Sequence, residues 1–234
     1  MNTVKILSTN ISEISLNEVS SLLNTKNSLK VAICNTNTVI RSYRDETLGE
    51  IINSFDIKTP DGFPIAKSSS ILYNNNQHRV DGYNVLLTTI REGLEKNTSH
   101  YFFGSEDYVL KKLIQNLQKD FPSINIVGSS SPPVSEFKEL TEERYIQDIQ
   151  NLNPDIVWVS LGFPKQEMFI ELLQKKYRME SNFVGIGAVF EWVAGTKVKA
   201  PEFIANLGLE WLLRLVQEPR RLFKRYFIDN FLFL

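Results

Sequence analysis

The chain of 234 residues has one cysteine, two histidines and no long apolar run. Cys34, in Val31-Ala32-Ile33-Cys34, has no partner for an internal disulfide, which fits a reducing compartment. His78 and His100 lack a paired ligand at metal spacing and no Asp-X-Asp triplet occurs, so no metal or other cofactor is expected. No GxSxG is present, which removes the hydrolase elbow. No GxxxxGK[ST] is present, which removes the Walker loop. Gly185-Ile186-Gly187 has no third glycine, so a dinucleotide fingerprint is unsupported, which counts against an NAD-type oxidoreductase. No apolar stretch approaches the roughly 20 residues that span a bilayer. The N-terminus, MNTVKILSTNISEIS, lacks a long apolar segment, so no signal peptide is expected. The expected location is the cytoplasm, with any membrane contact peripheral and from the inner face.

The charge is unevenly spread. From Gly195 onward seven Lys or Arg stand against four Asp or Glu, with seven aromatics interleaved, although the whole chain has a formal net charge of -1. The body is therefore acidic and the tail basic, which suits work against an anionic surface or substrate. On a helical wheel Arg220, Arg221, Lys224 and Arg225 fall on one side, with Leu222, Phe223 and Tyr226 across from them. Pro201 and Pro219 would open the two helical pieces of this tail. The alternative is a C-terminal helix docked on the body with its basic side solvated.

Upstream, β-branched and aromatic runs alternate with helical patterns. Strands are expected at Lys30–Cys34, Tyr101–Phe103, Ile124–Val127, Ile156–Ser160 and Phe183–Ile186. Helices are expected at Thr38–Ser54, Pro64–Leu72, Tyr83–Lys96, Asp107–Lys119, Thr141–Asn151 and Lys165–Lys176. This alternation predicts an α/β fold: a Rossmann-like, mainly parallel sheet with helices on both faces, plus a helical C-terminal appendage. The boundary falls near Gly195, giving a core over residues 1–194 and an appendage over 195–234.

In such sheets ligands meet the loops at the strands' C-terminal ends. The loops to inspect are Asn35-Thr36-Asn37, Gly104-Ser105, Gly128 to Pro133, Gly162 to Gln166 and Gly187 to Glu191. Thr59-Pro60-Asp61-Gly62-Phe63-Pro64 carries turn chemistry, but Pro64 at a helix start would also set Asp61 at the sheet's mouth as a proton acceptor. Arg79 precedes a helix cap at Asp81 and offers a guanidinium fork to phosphate, or is a surface charge. In Ser160 to Glu167, Pro164 fits a first helical position, and free N–H groups with Lys165 suit an anion. Gln166 offers both donor and acceptor there. Around Gly187, small residues admit a nucleotide with Glu191 facing its ribose, or serve close sheet packing.

The segments NTNTVIRSYRD, TPDGFP, RVDGYNVL, YFFGS, VGSSSPP, VSLGFPKQE, VGIGAVFEWVAGTKVKAP and GLEWLLRLVQEPRRLFKRY, in that order, resemble the WecG/TagA/CpsF glycosyltransferases. The resemblance covers about Val31 to Tyr226. It implies an inverting, metal-independent transfer of a sugar from a UDP-sugar to a polyprenyl-diphosphate-linked sugar in bacterial surface-polysaccharide synthesis. By the same resemblance Asp61 is the general base, and Arg79 and Gln166 belong to the catalytic pocket. Asn35, Gly104, Pro133, Gly162, Phe163, Lys165, Gly187 and Glu191 bind substrate. Arg214, Arg221 and Arg225 close over the leaving diphosphate.

The chain departs from the family pattern at four places. Ile33 stands where many members carry Thr, and Ser105 replaces a second Gly. Glu191 replaces an Asp, and Lys199 replaces an Arg. The partners implied are the UDP-sugar, the lipid-linked acceptor, a membrane surface at the tail and a second copy of the chain, with no nucleic acid. Two rival readings remain: a membrane-recruited module that binds a nucleotide sugar without catalysis, and a nucleic-acid binder acting through the basic tail. Retention of UDP by the body separates the transferase from the nucleic-acid binder.

Overall fold

A computed structural model describes residues 1–25, 28–133, 143–201, 204–205, 209–217 and 219. An antiparallel hairpin, β1 (Thr3–Ile6) and β2 (Thr9–Ser12), precedes helix α1 (Leu16–Leu23). A six-stranded sheet follows: β3 (Lys30–Cys34), β4 (Ile57–Pro60), β5 (Ser99–Gly104), β6 (Asn125–Ser130), β7 (Ile156–Ser160) and β8 (Asn182–Gly185). Its spatial order is β4-β3-β8-β7-β5-β6, and every pairing is parallel.

The strands alternate between two apolar cores, as a pleat with period two requires. Ala32, Cys34, Tyr101, Phe103, Val157 and Val159 face one core. Val31, Phe102, Ile156, Trp158 and Val184 face the other. Both faces are covered, so β7 is buried along its whole length and reads as a continuous apolar run.

The first face is covered by the hairpin and by α2 (Thr36–Arg44), α3 (Glu46–Asn53), α4 (Phe63–Tyr73), α7 (Glu143–Leu152) and α8 (Lys165–Tyr177). Phe169 of α8 stacks on Phe103 with ring centroids 4.6 Å apart. The second face is covered by α1, α5 (Gly82–Gly93), α6 (Asp107–Asp120) and α9 (Val189–Val193). Beyond the core lies α10 (Glu210–Gln217). Among the described residues, no helix is long and apolar enough to cross a membrane.

Three expectations change in detail. The helix over Thr38–Ser54 is two helices, because Asp45 ends α2 in an extended conformation and its carboxylate caps Leu48 N at 3.1 Å. Strand β4 was not expected: Ile-Lys-Thr-Pro has no apolar run. It is a sheet edge, where Pro60 needs no ladder donor, and Ser12 Oγ of the hairpin accepts its Lys58 N–H at 3.0 Å. Pro164 stands just before the first residue of α8, with non-helical ψ of 2°.

Candidate active site

A cavity of about 190 Å³ opens at the C-terminal ends of β3, β4, β7 and β8. The helices leaving β3 and β8 go to opposite faces of the sheet. Val39 of α2 enters one core, while Val189 and Phe190 of α9 enter the other. The crevice between two such neighbouring strands is where open α/β sheets bind ligands. The volume lies below the roughly 300 Å³ of the smallest typical ligand sites.

Six residues expected from sequence converge on this cavity: Asn35, Asp61, Gly162, Phe163, Gln166 and Gly187. Asn35 caps α2, its side-chain oxygen accepting Thr38 N–H at 3.3 Å. Asp61 follows β4, and its N–H is shared between Cys34 O at 2.9 Å and Thr59 O at 3.0 Å. Gly62 at φ 85° then turns the chain into α4, whose first turn contains Pro64. That turn holds the half-buried Asp61 carboxylate immediately before a helix start. Phe163 forms part of the wall, with the Arg41 guanidinium 5.1 Å from its ring centre.

Gln166 is buried at the start of α8 and ties two loops together. Its Oε1 accepts Gly187 N–H at 3.1 Å, and its Nε2 donates to Glu167 Oε1 at 2.8 Å. The amide lies against Gly185, where a Cβ would stand 3.0 Å from Nε2. Ser160 Oγ fixes the same loop by donating to Gly187 O at 2.6 Å. The expectation that Gln166 offers a ligand both donor and acceptor is corrected in part. Its amide already bonds the protein on both sides.

Five other expected residues do not line the cavity. Arg79 stands 3.3 Å from Asp81 and 3.0 Å from Glu210 of α10, two carboxylates that themselves line the cavity. Gly104, at φ 110°, belongs to packing: a Cβ there would meet Ser160 O at 2.3 Å. Glu191 pairs with Lys197 at 2.8 Å. Lys165 is exposed on α8, and Pro133 follows β6 on the far side of β5. Arg221 and Arg225, and the side chain of Arg214, lie outside the described residues, as does the helical piece expected after Pro219.

Sequence reasoning missed part of the lining. Asp81 was read only as a cap. It does cap α5, accepting Asn84 N–H at 3.1 Å, and it also forms a wall. Trp192 of α9 adds an aromatic surface, and Lys199 reaches the wall from over the Tyr83 ring at 4.2 Å. Glu167 and Glu210 bring two more carboxyls. Burial raises the Glu167 carboxyl to about 7, opposed by the Gln166 bond, and among the described residues its Oε2 has no hydrogen-bond partner. With Asp61 and Asp81 the lining is rich in acid, and Lys199 is a cation within it. Among the described residues, no group of three or more His, Cys, Asp or Glu is placed to hold a metal ion.

Comparison with known proteins bears on this site. The Glycosyl transferase WecG/TagA/CpsF family matches residues 4–234. A protein of Bacillus spizizenii is 31% identical over 174 residues, covering 73% of this chain and 64% of its own length. One of Bacillus subtilis strain 168 is 26% identical over 191 residues, covering 82% and 72% respectively. One of Staphylococcus aureus strain MW2 is 24% identical over 207 residues, covering 88% and 79%. Each is named N-acetylglucosaminyldiphosphoundecaprenol N-acetyl-beta-D-mannosaminyltransferase. The matched region thus spans just under two thirds of the Bacillus spizizenii relative. With a match across nearly its whole length and a parallel sheet that gathers Asn35, Asp61 and Gln166 at one crevice, this chain belongs to the WecG/TagA/CpsF glycosyltransferase family.

Proposed function

We propose that the chain is an inverting, metal-independent glycosyltransferase that moves a sugar from a UDP-sugar to a polyprenyl-diphosphate-linked acceptor sugar. The relatives' names point to an N-acetylglucosaminyl-diphosphoundecaprenol acceptor and an N-acetylmannosaminyl group. The product would feed a cell-surface polymer. The observation that carries this reading is that Asp61, Asn35 and Gln166 line one cavity.

In this mechanism Asp61 takes the proton of the acceptor hydroxyl while that oxygen attacks the anomeric carbon. The bond from that carbon to the UDP oxygen breaks, UDP leaves with the electron pair, and configuration inverts. Charge building on the diphosphate meets Lys199 and the tail arginines Arg214, Arg221 and Arg225. Arg79 joins them if the diphosphate displaces the Glu210 carboxylate. The basic, aromatic tail would dock on the inner membrane face, bringing the site to its lipid-linked substrate.

The test uses the full chain, a lipid-diphosphate-linked N-acetylglucosamine acceptor and a panel of UDP-sugars, following UDP release. UDP-N-acetylmannosamine is expected to be the best donor. Asp61→Asn should lower turnover at least about 10²-fold while UDP still binds. Unchanged turnover removes Asp61 as the base, and release from no donor in the panel removes the transferase reading.

A further inference from the structure

Beside Gln166 stands a carboxyl that the proposed chemistry does not use. Glu167 is 1% exposed, lines the cavity and has one oxygen, Oε2, without a hydrogen-bond partner among the described residues. Leu or Met would fill the same space without burying an unmatched polar atom, and such atoms in folded proteins call for a reason. The reason is in the bonds of its neighbour. Gly187 N–H is only a donor, so the atom of Gln166 facing it must be the oxygen. The amide nitrogen is then turned to Glu167, which must accept on Oε1. Turning the amide over would set two donors against each other at Gly187 and two oxygens against each other at Glu167. Gly185 closes on the amide from one side, so the group is held by packing as well as by bonds.

We infer that Glu167 is a positioning residue that locks the Gln166 side-chain amide in one orientation at the cavity. This rests on the cavity being the transfer site. Glu167 acts through Gln166, whose second Nε2–H is the donor left for a ligand. Burial favours the protonated carboxyl near neutral pH. With the amide turned as observed, that proton sits on Oε2 and Oε1 still accepts, while the Gly187 N–H keeps the amide from turning. Groups that fix a contacting residue from behind typically change activity about 10- to 100-fold when removed.

The experiment is a double-mutant cycle in the full chain with the same UDP-release assay, together with hydrogen exchange of the Gln166 side-chain amide in isotope-labelled protein. Glu167→Met keeps volume but cannot accept, and Glu167→Gln can accept through its amide oxygen. Glu167→Met should lower turnover about 10- to 100-fold and lose amide protection, while Glu167→Gln should recover most of both. In a Gln166→Ala background Glu167→Met should lower turnover no further. An additional loss in that background, or an amide still protected in Glu167→Met, overturns the proposal, the former by exposing a structural role. If the amide is locked as described but Gln166→Ala keeps full turnover, the cavity reading falls instead, and the functional part of the inference falls with it. Circular dichroism of each variant separates misfolding from loss of the lock.

Discussion

Arg79 Nη1 lies 3.0 Å from Glu210 Oε2, joining residues 131 positions apart in sequence. The side chains are 11% and 21% exposed, so the pair is largely shielded from solvent. It fastens α10 to the segment that leads into α5, beside the cavity wall formed by Asp81. Glu210→Ala should weaken that fastening by about 1 kcal/mol, since a pair of this exposure is worth more than a surface pair. Faster proteolytic cleavage on the C-terminal side of Ala200, with the core intact, is the expected result. Arg79→Ala should loosen the same region, and the double variant should be no looser than the worse single one.

Gly185→Ala tests the packing behind Gln166. The new methyl would stand 3.0 Å from Nε2 and 3.3 Å from Cγ and Cδ, tighter than ordinary contact. The amide must shift by a few tenths of an ångström. Overpacking of this kind costs about 1 kcal/mol in stability. Turnover should fall by a larger factor, about tenfold or more, because the shift is delivered to the contacting group. Turnover falling only in step with stability would count against the assignment of Gln166 to the site.

Gly104→Ala has the opposite signature. Its φ of 110° is disfavoured for a side chain, and the Cβ would stand 2.3 Å from the Ser160 backbone oxygen. The strands β5 and β7 would have to separate locally. A loss of more than about 2 kcal/mol is expected from denaturant unfolding. UDP affinity per folded molecule should be unchanged, as the residue does not line the cavity.

The Glu167 carboxyl gives a pH dependence with a definite sign. Its folded value is raised by burial to about 7 from an ordinary 4.5. Between those values the folded state holds a proton that the unfolded state has released, so this contribution is fully present below 4.5 and is lost as pH rises through 7. The stability of the wild type should therefore fall relative to Glu167→Gln across that window, by up to roughly 3 kcal/mol. Denaturation curves for the two proteins at pH 4.5 and pH 8 measure it. A constant difference would mean that the carboxyl ionises as freely folded as unfolded.

The sheet was legible where strands are buried on both faces. Lys30–Cys34 and Ile156–Ser160 are the same in sequence pattern and in structure, because continuous apolar runs bounded by Asn, Gly and Pro leave little choice. β4 was not legible, because its burial comes from β3 and the hairpin rather than from its own side chains. Lys58 is buried there with its ammonium on the Phe55 carbonyl. Helix α1 had a signal that went unused: Ser15 and Glu18 form a reciprocal cap, with Ser15 N–H donating to the Glu18 carboxylate at 2.8 Å.

The site shows a similar division. Motif residues at strand ends, such as Asp61 and Gly162, were found because turn chemistry marks them. Glu167 was not marked, because a charged residue in the first turn of a helix ordinarily faces water. The available signal was the helical stripe in α8. Gln166, Phe169, Ile170 and Leu173 repeat at the spacing of one buried face, and Glu167 leads directly to Ile170. Polar residues continuing an apolar stripe toward a strand's C-terminal end point inward. Glu210 carried no such signal, since its partner Arg79 is remote in sequence and the pairing is purely tertiary.

The two walls of the crevice stand on separate foundations. Asn35 is carried by α2 and the core under Val39, and Trp192 by α9 and the core around Phe190. The Gln166–Gly187 bond is a bridge from one to the other. Substitutions beneath one wall can therefore tilt that wall while the other keeps its shape, so the crevice can change on one side without a redesign of the sheet that carries it.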